Sequence, residues 1–314
     1  MIQSFRPARA AGRGADGRKR AVRAAVLFCV FCFAGNGRGA AMDWPTEDGV
    51  LVHNFGALRT GRPSLGSVFE TSGAVRSVED GTIIFVHDPA SSASRLPSPL
   101  GPWMAVDHGD GLLSVYGRLD EKQPVPDVET VSRGRVIAAA ARIPAARSGV
   151  AAAGRFYFSF YDKKERRWLN PSMIITPLAD TAPPVIFAVE LRDEAGERRN
   201  PALGRRLAQG NYAVMVGTTD SQNTARPQTL APYRIICVVN GMETSALTFE
   251  TWAARDGVLM AARNGLVPAK NVYAAAPLLE AGRLWLTRGQ TALEIIVQDA
   301  AGNTRSVLYR LQVE

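Results

Sequence analysis

The chain has only three histidines, His53, His87 and His108, and a single cysteine, Cys237, outside its first 41 residues. These are the side chains that would do metal or nucleophilic chemistry. A catalytic zinc needs three neutral or anionic ligands and an open position where water is acidified. His108 stands between Asp107 and Asp110 and could join either in a rebuilt site; the plainer reading has it packing a turn. His53 (VHNFG) and His87 (VHDP) fall where strands would end, and read as polar turn residues. Asp43, Glu47 and Asp48 form no metal spacing and read as solvated. Cys237 lies in the apolar run YRIICVV and reads as a small buried hydrophobe. No Gly-x-Ser-x-Gly elbow and no phosphate-cradling glycine loop is present.

The elements that must position such residues are strands. From residue 42 the chain runs through short apolar stretches broken by Gly, Pro, Asp and Asn: GTIIFVHD, GRFYFSFYD, PPVIFAVELRD, GNYAVMVGTTD, TALEIIVQD and SVLYRLQVE. Alternation at period two and the Val, Ile, Phe and Tyr content predict an all-β protein. The segment 251–265 (TWAARDGVLMAARNG) is the one place where a short helix is expected, and 251–282 reads as an insertion between strands. Residues 88–102 read as a surface loop, and 135–154 as a strand followed by a loop. At 178–184 (LADTAPP) two prolines, which cannot donate to a ladder, mark a boundary.

Charge is uneven. Residues 1–41 carry eight Lys or Arg against Asp16, which is +7 of the formal +8, leaving about +1 for 42–314. A nearly neutral folded part gives no support to a nucleic-acid partner. The basic stretch precedes eleven apolar residues, Ala24 to Ala34, and then small residues through Ala41. That order predicts an export signal, 1–41, cut before Met42 and too short to span a bilayer; an uncleaved anchor is the alternative. Cys29 and Cys32 would leave with it. The expected location is the periplasm or cell envelope, with membrane contact only through that signal.

The stretch VDHGDGLLSVYGRL (106–119), with GAVRSVEDGTIIF (73–85) before it and VSRGRVIA (131–138) and GRFYFSFYDKKERRWLNP (154–171) after it, resembles the lysostaphin-type zinc endopeptidases, which cut peptide cross-links in bacterial walls. The resemblance spans roughly residues 45–178. It implies an antiparallel sheet domain, 42–179, with a groove across one face. It also implies where the zinc ligands should be, and they are replaced. Ser64 stands for the first His and Val68 for the Asp of the His-x-Gly-x-Asp stretch. The late His-x-His falls on Arg155 and Tyr157, and the assisting His on Arg118. Val cannot ligate zinc and Arg is never deprotonated, so no zinc and no catalytic residue is expected. Carried onto that fold, Arg118, Arg155, Tyr157, Tyr116 and His108 become the candidate binding residues of the groove, where Arg holds a carboxylate and Tyr stacks.

Residues 180–314 resemble bacterial immunoglobulin-like modules, closing on a hairpin around Asp299-Ala-Ala-Gly302-Asn303, so a β-sandwich is expected. Three functions follow. The first is a non-catalytic envelope protein that binds peptidoglycan or a wall hydrolase. The second is a peptidoglycan zinc endopeptidase with unorthodox ligands, and the third a structural or adhesive β protein.

Overall fold

A computed structural model describes residues 41–89, 97–121, 129–143, 153–203, 206–222 and 230–314. The export signal expected over 1–41 lies, but for Ala41, outside the described residues, with Cys29 and Cys32. So do 90–96 of the expected loop at 88–102, and 144–152 of the run at 135–154.

The first half supplies β1 (Val50–His53), β2 (Leu58–Arg59), β3 (Arg62–Pro63), β4 (Ser67–Thr71), β5 (Ala74–Arg76) and β6 (Gly81–His87). It continues with β7 (Trp103–Asp107), β8 (Leu112–Gly117), β9 (Thr130–Val131), β10 (Val136–Ala139), β11 (Ala141–Arg142), β12 (Gly154–Asp162) and β13 (Arg167–Leu169). The second half adds β14 (Val185–Arg192), β15 (Arg198–Arg199), β16 (Gly210–Thr219), β17 (Arg234–Val239) and β18 (Met242–Arg255). After them come β19 (Val258–Arg263), β20 (Leu266–Pro268), a single helical turn α1 (Ala269–Val272), β21 (Leu278–Leu286), β22 (Gly289–Gln298) and β23 (Thr304–Val313). The protein is all-β, and every pairing between these strands is antiparallel.

Period two decides which face each strand buries. Along β22 the alternate residues Thr291, Leu293, Ile295 and Val297 are buried. In the second half two sheets face each other as a sandwich: β15-β14-β16-β21, and the end of the large sheet that runs β23-β22-β17-β18. Val189, Leu191, Val214 and Val216 of one meet Ile235, Cys237, Leu247 and Ile295 of the other in one cluster. Gly282 in β21 allows the close approach, since a Cβ there would lie 2.5 Å from the Ser245 side chain. Cys237 is fully buried, and burial pushes its thiol up to about 12, out of range for a nucleophile.

The large sheet continues into the first half as β18-β13-β12-β8-β7-β6-β9. The join is β13 on β18, with Trp168 opposite Trp252. The first half has its own cluster, built on Phe69, Met104, Tyr116, Phe156, Phe158 and Phe160. The connector 178–184 runs between the strands that build the two clusters, yet the clusters exchange residues. Phe55 packs into the second and Leu230 into the first. Residues 41–314 form one compact unit.

The helix expected in 251–265 is absent. Asp256 (φ 49°) and Gly257 (φ 74°) both take the left-handed conformation and turn β18 into β19 with Arg255 opposite Val258. Asp-Gly is the dipeptide that such a two-residue hairpin favours. Segment 251–282 holds the end of β18, then β19, β20 and α1, and the start of β21, which pairs along the length of β16.

Candidate functional site

Three strands set the site. β12 pairs with β4 on one side and β8 on the other, placing Tyr157 opposite Val68 and Gly117, and Arg155 opposite Glu70. Phe156 and Phe158, on the alternate positions, pair side by side with Phe69 and Tyr116 on the core face. One face of these strands is thus aromatic core, and the other carries Val68, Glu70, Arg155 and Tyr157.

Tyr116 and Arg118 are two residues apart and would share a face of a regular strand. They do not. Tyr116 is opposite Phe158 and fully buried, so it does not line a groove. β8 ends at Gly117, and Arg118 takes a left-handed φ of 59°, which turns its side chain to the other face. There Val52, His53, Arg59, Val68, Arg118 and Arg155 enclose a hollow of about 250 Å³. An adjoining hollow of about 530 Å³ shares Arg59, Arg118 and Arg155 and adds Arg142.

The three arginines are not equivalent. Arg155 donates to Glu70 Oε2 from Nε (3.0 Å) and Nη2 (2.8 Å), and the Glu70 side chain is only 10% exposed. Among the described residues Arg59 and Arg118 form no ion pair. The Arg118 guanidinium is lowered from its ordinary value by burial, then by Arg59, with Tyr157 opposing and Arg155 adding to the effect. Burial pushes the Tyr157 hydroxyl up to about 12 against the pull of Ser159 and Arg118. Its ring lies over Gly66, where a Cβ would come within 2.7 Å of the ring and 2.3 Å of the Phe158 carbonyl. Glycine is required there by close approach.

His53, expected as a turn residue, is a wall of the hollow. Its Nε2 is buried with no hydrogen-bond partner. Burial first, and Arg59 second, hold its pKa below the ordinary value, against a backbone bond at Ala57. Arg59 carried no sequence signal, because the hairpin of β2 and β3 after the turn at Gly56 brings it in, and His53 comes from the end of β1, opposite Val68.

His108 is elsewhere. Its Nδ1 bonds the Asp80 carbonyl (2.8 Å) and its Nε2 the Ser114 hydroxyl (2.7 Å). Ser114 and Tyr116 share a bond of 3.1 Å, and the Val78 N–H donates to the Tyr116 oxygen at 3.1 Å. Both ring nitrogens are engaged, and burial lowers the imidazole pKa. His108 therefore anchors the β7–β8 turn to the core. His87 is not a polar turn residue but is buried against Trp103, ring centroids 6.3 Å apart. Asp48, though exposed, is not merely solvated: burial would raise it, but hydroxyls of Ser72, Thr71 and Thr46 hold it at about 2. Asp43 is likewise held, by two bonds of 2.7 Å from Arg133.

Ser64 bonds the Gly66 carbonyl at 2.7 Å and does not line the hollow. The residues at the positions of the expected zinc ligands thus offer one hydroxyl turned away, one valine and one buried tyrosine, with guanidiniums at the two assisting positions. Such a donor set does not fit zinc. Among the described residues, the sole group of three or more metal-ligand side chains within mutual reach is Asp180, Asp220 and Asp299, at the connector and the ends of β16 and β22. Burial, then Asp299, pushes Asp220 up to about 7.

One protein-family model matches residues 183–314. No curated protein matches the chain. Among solved structures, the chain is similar to the SpoIIQ–SpoIIIAH pore-forming complex at 17% identity, covering 43% of this chain and 90% of that one, with a TM-score of 0.31. A crystal structure of the SpoIIIAH and SpoIIQ complex gives 18%, 41%, 96% and 0.29 for the same quantities. The solution structure of lysostaphin gives 14%, 75%, 95% and 0.30. These likenesses are too remote to assign any residue of the site.

Proposed function

We propose that this is an exported, non-catalytic cell-envelope protein whose arginine-lined hollow receives a carboxylate, that of a peptidoglycan stem peptide or of a wall hydrolase that it regulates. The observation that supports the reading is the pair Arg59 and Arg118. Both face a hollow of about 250 Å³, and neither has an ion pair among the described residues. A carboxylate seated there would take charge-assisted bonds from one or both forks. His53, whose Nε2 lacks a partner, forms a further wall of the same hollow. The sequence resemblance to wall endopeptidases supplies the ligand class, because stem peptides end in and carry carboxylates. Resemblance at the level of fold does not by itself assign a task.

The test is titration of the purified protein with a soluble stem-peptide fragment, beside an Arg59→Ala/Arg118→Ala variant, at low and high salt. Binding by the native protein that weakens with salt and falls at least about tenfold in the variant is the expected result. Undiminished binding by the variant would overturn the reading. Zinc-dependent cleavage of the same peptide would overturn the non-catalytic part of it.

A further inference from the structure

The structure carries a second cluster of charge, opposite in sign to the first and independent of it. Asp180 lies in the connector, Asp220 directly after β16 and Asp299 directly after β22. One ligand oxygen from each lies within 4.8 Å of the other two. Asp220 is 6% exposed and Asp299 2%. Among the described residues none of the three makes an ion pair. Carboxylates gathered this way repel one another most where water is excluded.

Two features go beyond a chance gathering of acids. First, Asp220 Oδ1 is buried with no hydrogen-bond partner, on a carboxylate that contributes an oxygen to the cluster. An orphaned buried carboxylate oxygen is costly unless something fills the place opposite it. Second, three of the other carboxylate oxygens are fixed in place. Asn303 donates to Asp299 Oδ1 from its backbone (2.8 Å) and to Oδ2 from its side chain (2.8 Å). The same side chain donates to the Asp180 carbonyl at 3.2 Å. The Ala182 N–H holds Asp180 Oδ1 at 3.0 Å. All three aspartates line one cavity of about 30 Å³, together with Gln222. That is room enough for a guest the size of an ion or a water molecule.

We propose that Asp180, Asp220 and Asp299 bind one divalent cation, calcium, which fastens the connector to both sheets of the second half. Oxygens within 4.8 Å of one another can be gathered around a calcium ion, whose bonds to oxygen are about 2.3–2.6 Å. Calcium also accepts irregular sets completed by carbonyls, amide oxygens and water, of which Gln222 is at hand. β16 belongs to the sheet β15-β14-β16-β21 and β22 to the large sheet, so the ion would join the two layers and the segment that enters them.

The experiment strips the full chain with a chelator, then titrates it with calcium chloride or magnesium chloride, reading heat and melting temperature. One calcium per chain with a rise in melting temperature is expected, and a weaker response to magnesium. Asp220→Asn should lose the calcium response. Asp180→Asn, at a half-buried connector position that places no demand on the core, should weaken affinity by at least about tenfold, and it serves if Asp220→Asn fails to fold. Absence of any calcium response in the native protein overturns the proposal. So does a response equally strong in the folded variants, which would put the ion elsewhere. Equal affinity for magnesium would overturn the assignment to calcium.

Discussion

The arginine hollow and the aspartate cluster lie against opposite faces of the same two paired strands. Val52, His53 and Val68 of β1 and β4 wall the first, while Leu51 and Ser67, one residue away in each strand, wall the second. Arg59 and Arg118 in one and the three aspartates in the other make no ion pair among the described residues, but the two differ in what surrounds the charge. Arg59 is exposed and Arg118 half-buried, so water solvates them and their repulsion is weak. Asp220 and Asp299 are buried, and solvent offers them little. The open cluster can wait for a ligand at small cost to folding. The closed one is a stability problem until it is neutralised. Reversing or removing charge should therefore alter binding on one face and stability on the other.

The sharpest test of that contrast is Arg118→Glu. It puts a carboxylate where a ligand carboxylate is proposed, and should weaken stem-peptide binding by roughly a hundredfold, since bonds to charged groups contribute about 1.5–3 kcal/mol each. The melting temperature should barely move. A large fall in melting temperature would show Arg118 to be structural and erase the contrast. Arg155→Ala tests the exception within the hollow. Glu70, almost buried, would lose its bidentate partner, and denaturant unfolding should report a loss of about 2 kcal/mol, below the cost of breaking a fully buried pair because Arg155 is 37% exposed. No loss would place Arg155 with Arg59 and Arg118 as a free recognition group.

On the other face, Asp220→Asn should stabilise the chelator-treated protein in mildly alkaline buffer, by about 1 kcal/mol, or a few degrees in melting temperature. It removes one of three crowded negative charges and keeps the shape. The same substitution should cancel the gain that calcium gives the native protein. Stability lowered without calcium would mean that the carboxylate contributes through hydrogen bonds rather than costing through repulsion.

Much of the fold was legible in the sequence because strand periodicity is local. TALEIIVQD and SVLYRLQVE became β22 and β23, joined at the Asp299 to Asn303 turn. The hairpin in 106–119 became β7 and β8. The single expected helix failed against Asp256-Gly257, whose left-handed residues make a hairpin turn instead. The site was half legible. Arg118, Arg155, Val68 and Tyr157 do come together, but Tyr116 and His108 belong to the core and its turn, because Arg118 leaves the strand at a left-handed residue that periodicity does not foresee. Arg59 reaches the hollow through the short β2–β3 hairpin and His53 from the bulged end of β1, and no pattern announces them. The aspartate cluster was invisible for a stronger reason. Asp180, Asp220 and Asp299 are separated by about forty and eighty residues, and each alone reads as an ordinary turn former.

His53 gives the smallest and most local comparison. Its imidazole titrates below the ordinary 6.5 because burial, and then Arg59 and Arg118, oppose the charged form. In the unfolded chain neither opposition exists. The folded protein therefore resists a proton that the unfolded chain accepts, and the stability this group contributes is complete above 6.5 and lost as pH falls below it. A carboxylate in the hollow would offset the arginine field and offer Nε2 a partner. Followed by NMR, the His53 pKa should move upward on saturation with stem peptide, and upward by less in Arg59→Ala without peptide. Asp220→Asn, on the other face of β1 and β4, should leave it unchanged. If peptide binds and His53 does not respond, the carboxylate sits in the adjoining hollow lined by Arg142, and the unpartnered Nε2 is a feature of packing rather than of recognition.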